Sequence, residues 1–184
     1  MPVRGMEKEI VILDRRDFNE NKRYIRDPSI TTVISYGNGW LDVKMSDGFY
    51  YRRMGGTLSW RYNNPGNIKY GQFSRMQKSI GKGWGGHAVF PTYEIGRRAK
   101  QQLLFTPIRR YYNLSIREAL TYYAPVNDRR SSNRPDIYAR YIVRHVPGVT
   151  LGTKLRNMNQ TQQLAMLNAM ERFEGYKTGK VHRL

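Results

Sequence analysis

The chain has 184 residues, 39% hydrophobic and 25% charged, with 32 basic against 14 acidic side chains and a net charge of +18. That composition predicts a folded core rather than a disordered polyelectrolyte, in one domain or one domain with an appendage. The absence of cysteine excludes disulfides, thiolate nucleophiles and cysteine-based zinc sites, and no apolar run approaches the ~18 residues that cross a bilayer.

The N-terminal MPVRGMEKEIVILDRR has only a short apolar run broken at once by charge, which does not read as a signal peptide. Within it, Ile10–Leu13 reads as a short strand. Ile30–Tyr36 is rich in β-branched residues, and Gly37-Asn38-Gly39 signals a turn. Trp40–Met45 alternates Leu41, Val43 and Met45 against Asp42 and Lys44, and Asp47-Gly48 turns the chain into FYYRR. These segments predict a small β-meander. The stretch Ser59–Gly71, SWRYNNPGNIKYG, then places a polar knot between aromatic residues and reads as a hairpin turn. Ser74–Gly86 is rich in Gly and Lys, has no periodicity, and reads as a mobile loop; its GKGWGG lacks the strand–loop–helix context of a phosphate loop.

From Pro91 the periodicity becomes helical. Thr92 is placed to N-cap YEIGRRAKQQLLF, and Ser115 with Glu118 has capping-box spacing ahead of a second helix. RPDIYARYIVRHV has Pro and Asp in its first turn, and a last helix runs from near Thr161 to Gly175.

Charge is uneven along the chain. Residues 1–57 carry ten basic and eight acidic residues, and residues 58–184 carry 22 and six. The second segment therefore attracts polyanions: nucleic acid, anionic membrane or bacterial cell wall. Its six carboxylates are Glu94, Glu118, Asp128, Asp136, Glu171 and Glu174. Glu118 belongs to the capping box. Glu94 and Asp136 lie in first helical turns, where the macrodipole favours the charged form, and Asp128 reads as a solvated ion pair among arginines. Glu174 is in the last turn of a helix, where a carboxylate is disfavoured and its pKa is expected to rise, as a general acid requires. The alternative is an exposed partner of Arg172 or Lys177. Glu171, one turn earlier, is a second carboxyl or a surface partner of Lys177. His87, His145 and His182 form no metal-binding pattern, so neither a metal nor a cofactor is expected.

The order GGTLSWRYNNPGNIKYG, AVFPTYEIGRRAKQQLL, LSIREALTYYAP, PDIYARYIV and LAMLNAMERFEGY, over about Gly55 to Gly175, resembles the family marked by a W-R-N-N-N-P-G-N-I motif. Its members occur among phage virion proteins and interbacterial toxin domains, including cargo of type VI secretion. Tyr62 stands where that family has the first Asn of the triple. NNPGNIK, FPTYE and IYARYI are also similar to motifs of bacterial glucosaminidases of the lysozyme superfamily, with the Glu-bearing helix moved to the end. The chain is thus expected to be α+β, with the β-rich segment read from its own pattern over 1–54 and then a mainly helical domain over 55–184, which the resemblance implies is lysozyme-like and circularly permuted. It implies cleavage of peptidoglycan glycan strands, as a muramidase or lytic transglycosylase.

In that reading Glu174 is the acid and Glu94 the best second carboxylate. Trp60, Asn63, Asn64, Asn67, Tyr70 and Tyr138 are the substrate-binding residues, rings stacking on sugars and amides bonding acetamides. The chain is expected to be made in the cytoplasm and delivered to a target's wall by a secretion system or virion. An acidic immunity protein is then its expected partner, and no specific nucleic acid is. The competing readings are a basic nucleic-acid-binding module and a catalytically inactive virion component.

Overall fold

The computed structural model describes residues 28–125 and 134–184. It has a four-stranded antiparallel sheet at the N-terminal side followed by helices, the α+β class expected. The strand expected at Ile10–Leu13, and Asp128, Arg129 and Arg130, lie outside the described residues. The chain divides into two compact units. One runs up to Arg97 and resumes at Lys177–Leu184; the other is Arg98–Tyr176. The boundary expected at 54/55 falls inside the first.

In the first unit β1 (Ile30–Gly37), β2 (Trp40–Met45) and β3 (Tyr50–Met54) form the predicted meander. The register pairs Val33 with Val43 and Val43 with Tyr51, so the apolar set lies on one face. With Ile30, Leu41, Tyr62 and Val89 these residues make the unit's core. On the opposite face Asp42 takes two hydrogen bonds from the Arg52 guanidinium, at 2.7 and 2.8 Å, and one from Ser35 Oγ at 3.0 Å. The Asp47-Gly48 turn is closed by its own side chain, whose two oxygens accept from Phe49 N–H and Tyr51 O–H at 2.9 and 2.8 Å. The fourth strand, β6 (Lys180–Arg183), pairs antiparallel with β3, Met54 opposite Lys180 and Arg52 opposite His182. The sequence reading did not anticipate it: in KVHR only Val181 packs against the core, too little to make a pattern.

Two expectations are corrected here. Ser59–Gly71 is not a hairpin. Its front forms a one-turn helix, α1 (Leu58–Arg61), whose N-terminal Trp60 N–H is capped by Thr57 Oγ1. Ser74–Gly86 is not without regular structure. It holds most of α2 (Gln72–Met76), then β4 (Gly81–Lys82), which pairs with β5 (Ala88–Val89) in a two-stranded ribbon. A five-residue helix and two-residue strands are too short to leave a readable period.

The helix α3 (Tyr93–Phe105) starts in the first unit, with Thr92 Oγ1 accepting from Ile95 N–H, and continues into the second. There follow α4 (Ile116–Tyr123), α5 (Pro135–His145) and α6 (Gln160–Glu174). The capping box expected at Ser115–Glu118 is present, and its hydrogen bonds hold the Glu118 carboxyl below the usual range. A second box, Asn159 with Gln162, opens α6. Packing of α5 against α4 and α6 buries Leu120, Ile142, Met166 and Leu167 completely. Each such side chain contributes roughly 1.5–3 kcal/mol relative to exposure.

Gly96, in the first turn of α3, backs onto the knot: a Cβ there would stand 1.8 Å from the Asn63 carbonyl oxygen. Gly96→Ala should therefore destabilise by on the order of 1–3 kcal/mol despite alanine's better helix propensity. Gly71→Ala, with open space around it, should change little. Urea unfolding of both variants tests this; equal midpoints would mean the knot yields freely.

Candidate functional site

The polar knot, in the first unit, is a bracket made of amides. Asn64 has 0% exposure. Its Oδ1 accepts from Ile68 N–H at 2.9 Å, and its Nδ2 donates to Ile68 O and Ala88 O, both at 2.9 Å. Asn63 is also buried. Its Nδ2 donates to Phe90 O and Pro91 O at 3.1 Å, and its Oδ1 accepts from Arg53 Nη1 at 3.0 Å. Asn63 and Asn67 both have left-handed backbone, φ 50° and 47°, a conformation asparagine tolerates better than most residues. Trp60 is 3% exposed, with the Arg53 guanidinium 4.5 Å from its ring centre and donating to its carbonyl at 2.6 Å. As folded, then, Asn63, Asn64 and Trp60 are buried and shape the turn from inside. Tyr62 is fully buried, accepts from Trp84 N–H at 2.7 Å, and has its phenol pKa raised by burial.

Of the six expected binding residues, Asn67 is exposed and Tyr70 half-buried. Beside them is a pair the sequence reading did not single out. Lys69 Nζ donates to Gly85 O at 2.7 Å and contacts His87 Nε2 at 2.9 Å, while His87 Nδ1 faces the Asn67 carbonyl at 3.2 Å. A carbonyl only accepts, so Nδ1 carries the proton and Nε2 accepts from Lys69. Burial, then the Lys69 charge, holds the His87 pKa below the ordinary range.

Glu174 lies in the second unit, at the last residue of α6 before left-handed Gly175, as expected. Its side chain is 17% exposed. Oε1 accepts from Tyr138 O–H at 2.5 Å and from Lys100 Nζ at 3.3 Å. Lys100 has 0% exposure, with its ammonium 5.4 Å from the ring centre of Tyr123. Burial and then the Glu174 charge raise the phenol pKa of both Tyr138 and Tyr123 far above the ordinary value, so both hydroxyls stay protonated donors. Tyr138 is itself buried, and it stacks on Phe173 at 4.0 Å between ring centres; Tyr141 is 5.2 Å from Phe173. Tyr138 thus positions Glu174 and does not face solvent, whereas the Phe173 ring is exposed.

Glu94 is exposed in the first turn of α3, within the first unit. No group of three or more His, Asp or Glu among the described residues could hold a metal. Compared with known proteins, the chain matches no family model and no curated protein.

Lys100 is the residue the sequence could have flagged. It stands four positions before Leu104, beside Ala99, and the other buried members of α3, Gly96, Ala99 and Leu104, are non-polar, so a lysine there needs a buried partner. Glu174→Gln and Lys100→Met should each destabilise, and the double variant should lose less than their sum by about 0.5–3 kcal/mol. A double-mutant cycle from denaturant unfolding measures this, and zero coupling would mean the pair is geometrically close but energetically idle.

His87 gives a pH test. Its folded pKa is depressed, so on acidification the unfolded chain takes up the proton first. Stability present above roughly pH 6.5 is then lost as pH falls toward and through the folded value. The stability difference between wild type and His87→Gln, followed by urea melts from pH 7.5 to 5, should shrink on acidification; a difference independent of pH would rule out the neutral, Lys69-bonded imidazole.

Proposed function

We propose that this protein cleaves the β-1,4 glycan strand of peptidoglycan, with Glu174 as the acid. The observation that supports this reading best is the setting of that carboxyl. It ends a helix, one oxygen is fixed between a buried ammonium and a buried phenol, and an exposed aromatic ring adjoins it. With Oε1 so held, a proton taken up on Oε2 is the one passed to the glycosidic oxygen. The C1–O bond then breaks, the leaving sugar keeps the proton as its hydroxyl, and Lys100 stabilises the carboxylate left behind.

Two completions follow from the same first step. In a muramidase, water adds to C1 and gives up a proton to a second carboxylate. In a lytic transglycosylase, the substrate's own hydroxyl closes onto C1 and gives its proton to the Glu174 carboxylate left by the first step, so no second carboxylate is required. A permuted lysozyme-like domain, delivered to a target's wall by a secretion system or virion, fits the sequence motifs. An acidic immunity protein would suit so basic a surface if the producer is a bacterium. The charge of +18 serves capture of an anionic wall by screened attraction, through exposed residues such as Arg98 and Arg110.

Purified sacculi should be solubilised by wild type and at least ~100-fold more slowly by Glu174→Gln, with wall binding retained. Mass spectrometry of the products separates reducing ends from anhydro ends. Release of peptides with intact glycan strands, or full activity in the Gln variant, would overturn the proposal.

A further inference from the structure

The exposed end of the knot and the tip of the β4–β5 ribbon are joined into one surface of the first unit. Lys69 forms an isolated β-bridge with His87, and Tyr70 N–H donates to Gly86 O at 2.9 Å. Gly85 and Gly86 turn the tip with φ of 67° and 75°, conformations that favour glycine. Between them and β4 stands Trp84, 51% exposed. Its backbone is anchored to the buried Tyr62 hydroxyl, as described, while its indole is in water. A large ring held outward on a fixed backbone has no stabilising role in the core. It does offer a stacking surface whose ordering cost is already met.

The polar groups around it are equally fixed. The Lys69 ammonium is held by Gly85 O and His87 Nε2 and remains exposed. Asn67 is exposed, and its Oδ1 accepts from Ser59 Oγ at 3.4 Å, which directs the amide's N–H groups to donate elsewhere. Tyr70 is half-buried, with Arg75 5.8 Å from its ring centre. No acidic residue occurs between Asp47 and Glu94, a span with seven basic ones: Arg52, Arg53, Arg61, Lys69, Arg75, Lys78 and Lys82. A flat apolar ring, an amide donor and a fixed cation, in a stretch of chain with no carboxylate of its own, match an N-acetylated sugar that carries an acid group.

We infer that Trp84, Asn67, Tyr70 and Lys69 form a glycan subsite, with the sugar ring on Trp84, the acetamide at Asn67 and, at Lys69, the acid group of the muramyl unit, its free lactyl carboxylate or a carboxylate of its stem peptide. This rests on the peptidoglycan reading for the identity of the sugar, but not on Glu174 or on any cleavage.

The test is binding by the full chain at low salt, read from the indole N–H resonance of Trp84, assigned by its loss in Trp84→Phe. The probes are diacetylchitobiose, which lacks a carboxylate, the GlcNAc–MurNAc disaccharide with a lactyl carboxylate, and the same disaccharide bearing a dipeptide. Both carboxylated probes should shift the Trp84 resonance and bind roughly three- to fivefold tighter than diacetylchitobiose, as for one partly exposed charge pair; the tighter of the two names the acid group. Lys69→Gln should erase that preference, and Trp84→Ala should weaken all three probes, with thermal melts of both variants close to wild type. A Trp84 resonance unmoved by millimolar probe, or a preference that survives Lys69→Gln, overturns the subsite. Cleavage of sacculi with an unmoved Trp84 resonance overturns the subsite and leaves the enzyme reading standing. Saturable binding at Trp84 without cleavage supports the subsite and removes the enzyme reading.

Discussion

Asn64 has lost all contact with water, and its amide oxygen and both amide N–H groups are bonded to backbone of Ile68 and Ala88. Buried polar groups must be bonded or they cost free energy on the scale of a lost hydrogen bond. Here that requirement becomes architecture. One side chain closes the turn at Ile68 and ties it to β5, and Asn63 does the same toward Phe90 and Pro91. Replacing Asn64 by an apolar group would take the acceptor from Ile68 N–H and one donor each from Ile68 O and Ala88 O. The exposed end of the knot, where Asn67, Lys69 and Tyr70 meet the ribbon tip, inherits its rigidity from these two buried residues.

The second unit applies the same rule to charge. Lys100 is fully buried in α3, and Glu174 reaches it from the last residue of α6, 74 positions later in the chain. Helix polarity opposes a carboxylate at that end, while the ammonium and the Tyr138 hydroxyl favour it there. The result is a carboxyl fixed in place by partners that lie inside the protein. Phe173, stacked on Tyr138, extends the buried group to the surface.

The sequence was most informative where local chemistry decides structure. Alternation in Trp40–Met45, the Asp47-Gly48 turn, the Ser115–Glu118 box and Gly175 after α6 are interactions between near neighbours, and all are present. It was least informative where a short segment is defined by a distant partner. β6 exists because β3 offers it an edge, and β4 and β5 exist because they meet. Among the candidate site residues, the place of Glu174 at the end of α6 was legible, and it stands out because it violates a helix rule. That Asn63, Asn64 and Trp60 face inward was not legible, because an Asn-rich turn reads the same whether its amides bond backbone or ligand. Lys100 could have been noticed among the non-polar Gly96, Ala99 and Leu104 of α3, but nothing in the sequence says which carboxylate answers it.

The first unit is built from two stretches of chain separated by all of residues 98–176. During synthesis β3 leaves the ribosome with one edge open, and that edge stays open while the whole helical unit is made. The second unit, continuous in sequence, can assemble before the first is complete, the reverse of the usual N-terminal-first order. Only when Lys180–Arg183 emerges does the sheet gain its last strand. A nascent chain halted anywhere in the helices therefore presents an unpaired, tyrosine-bearing strand edge, the kind of surface that recruits chaperones or other copies of itself.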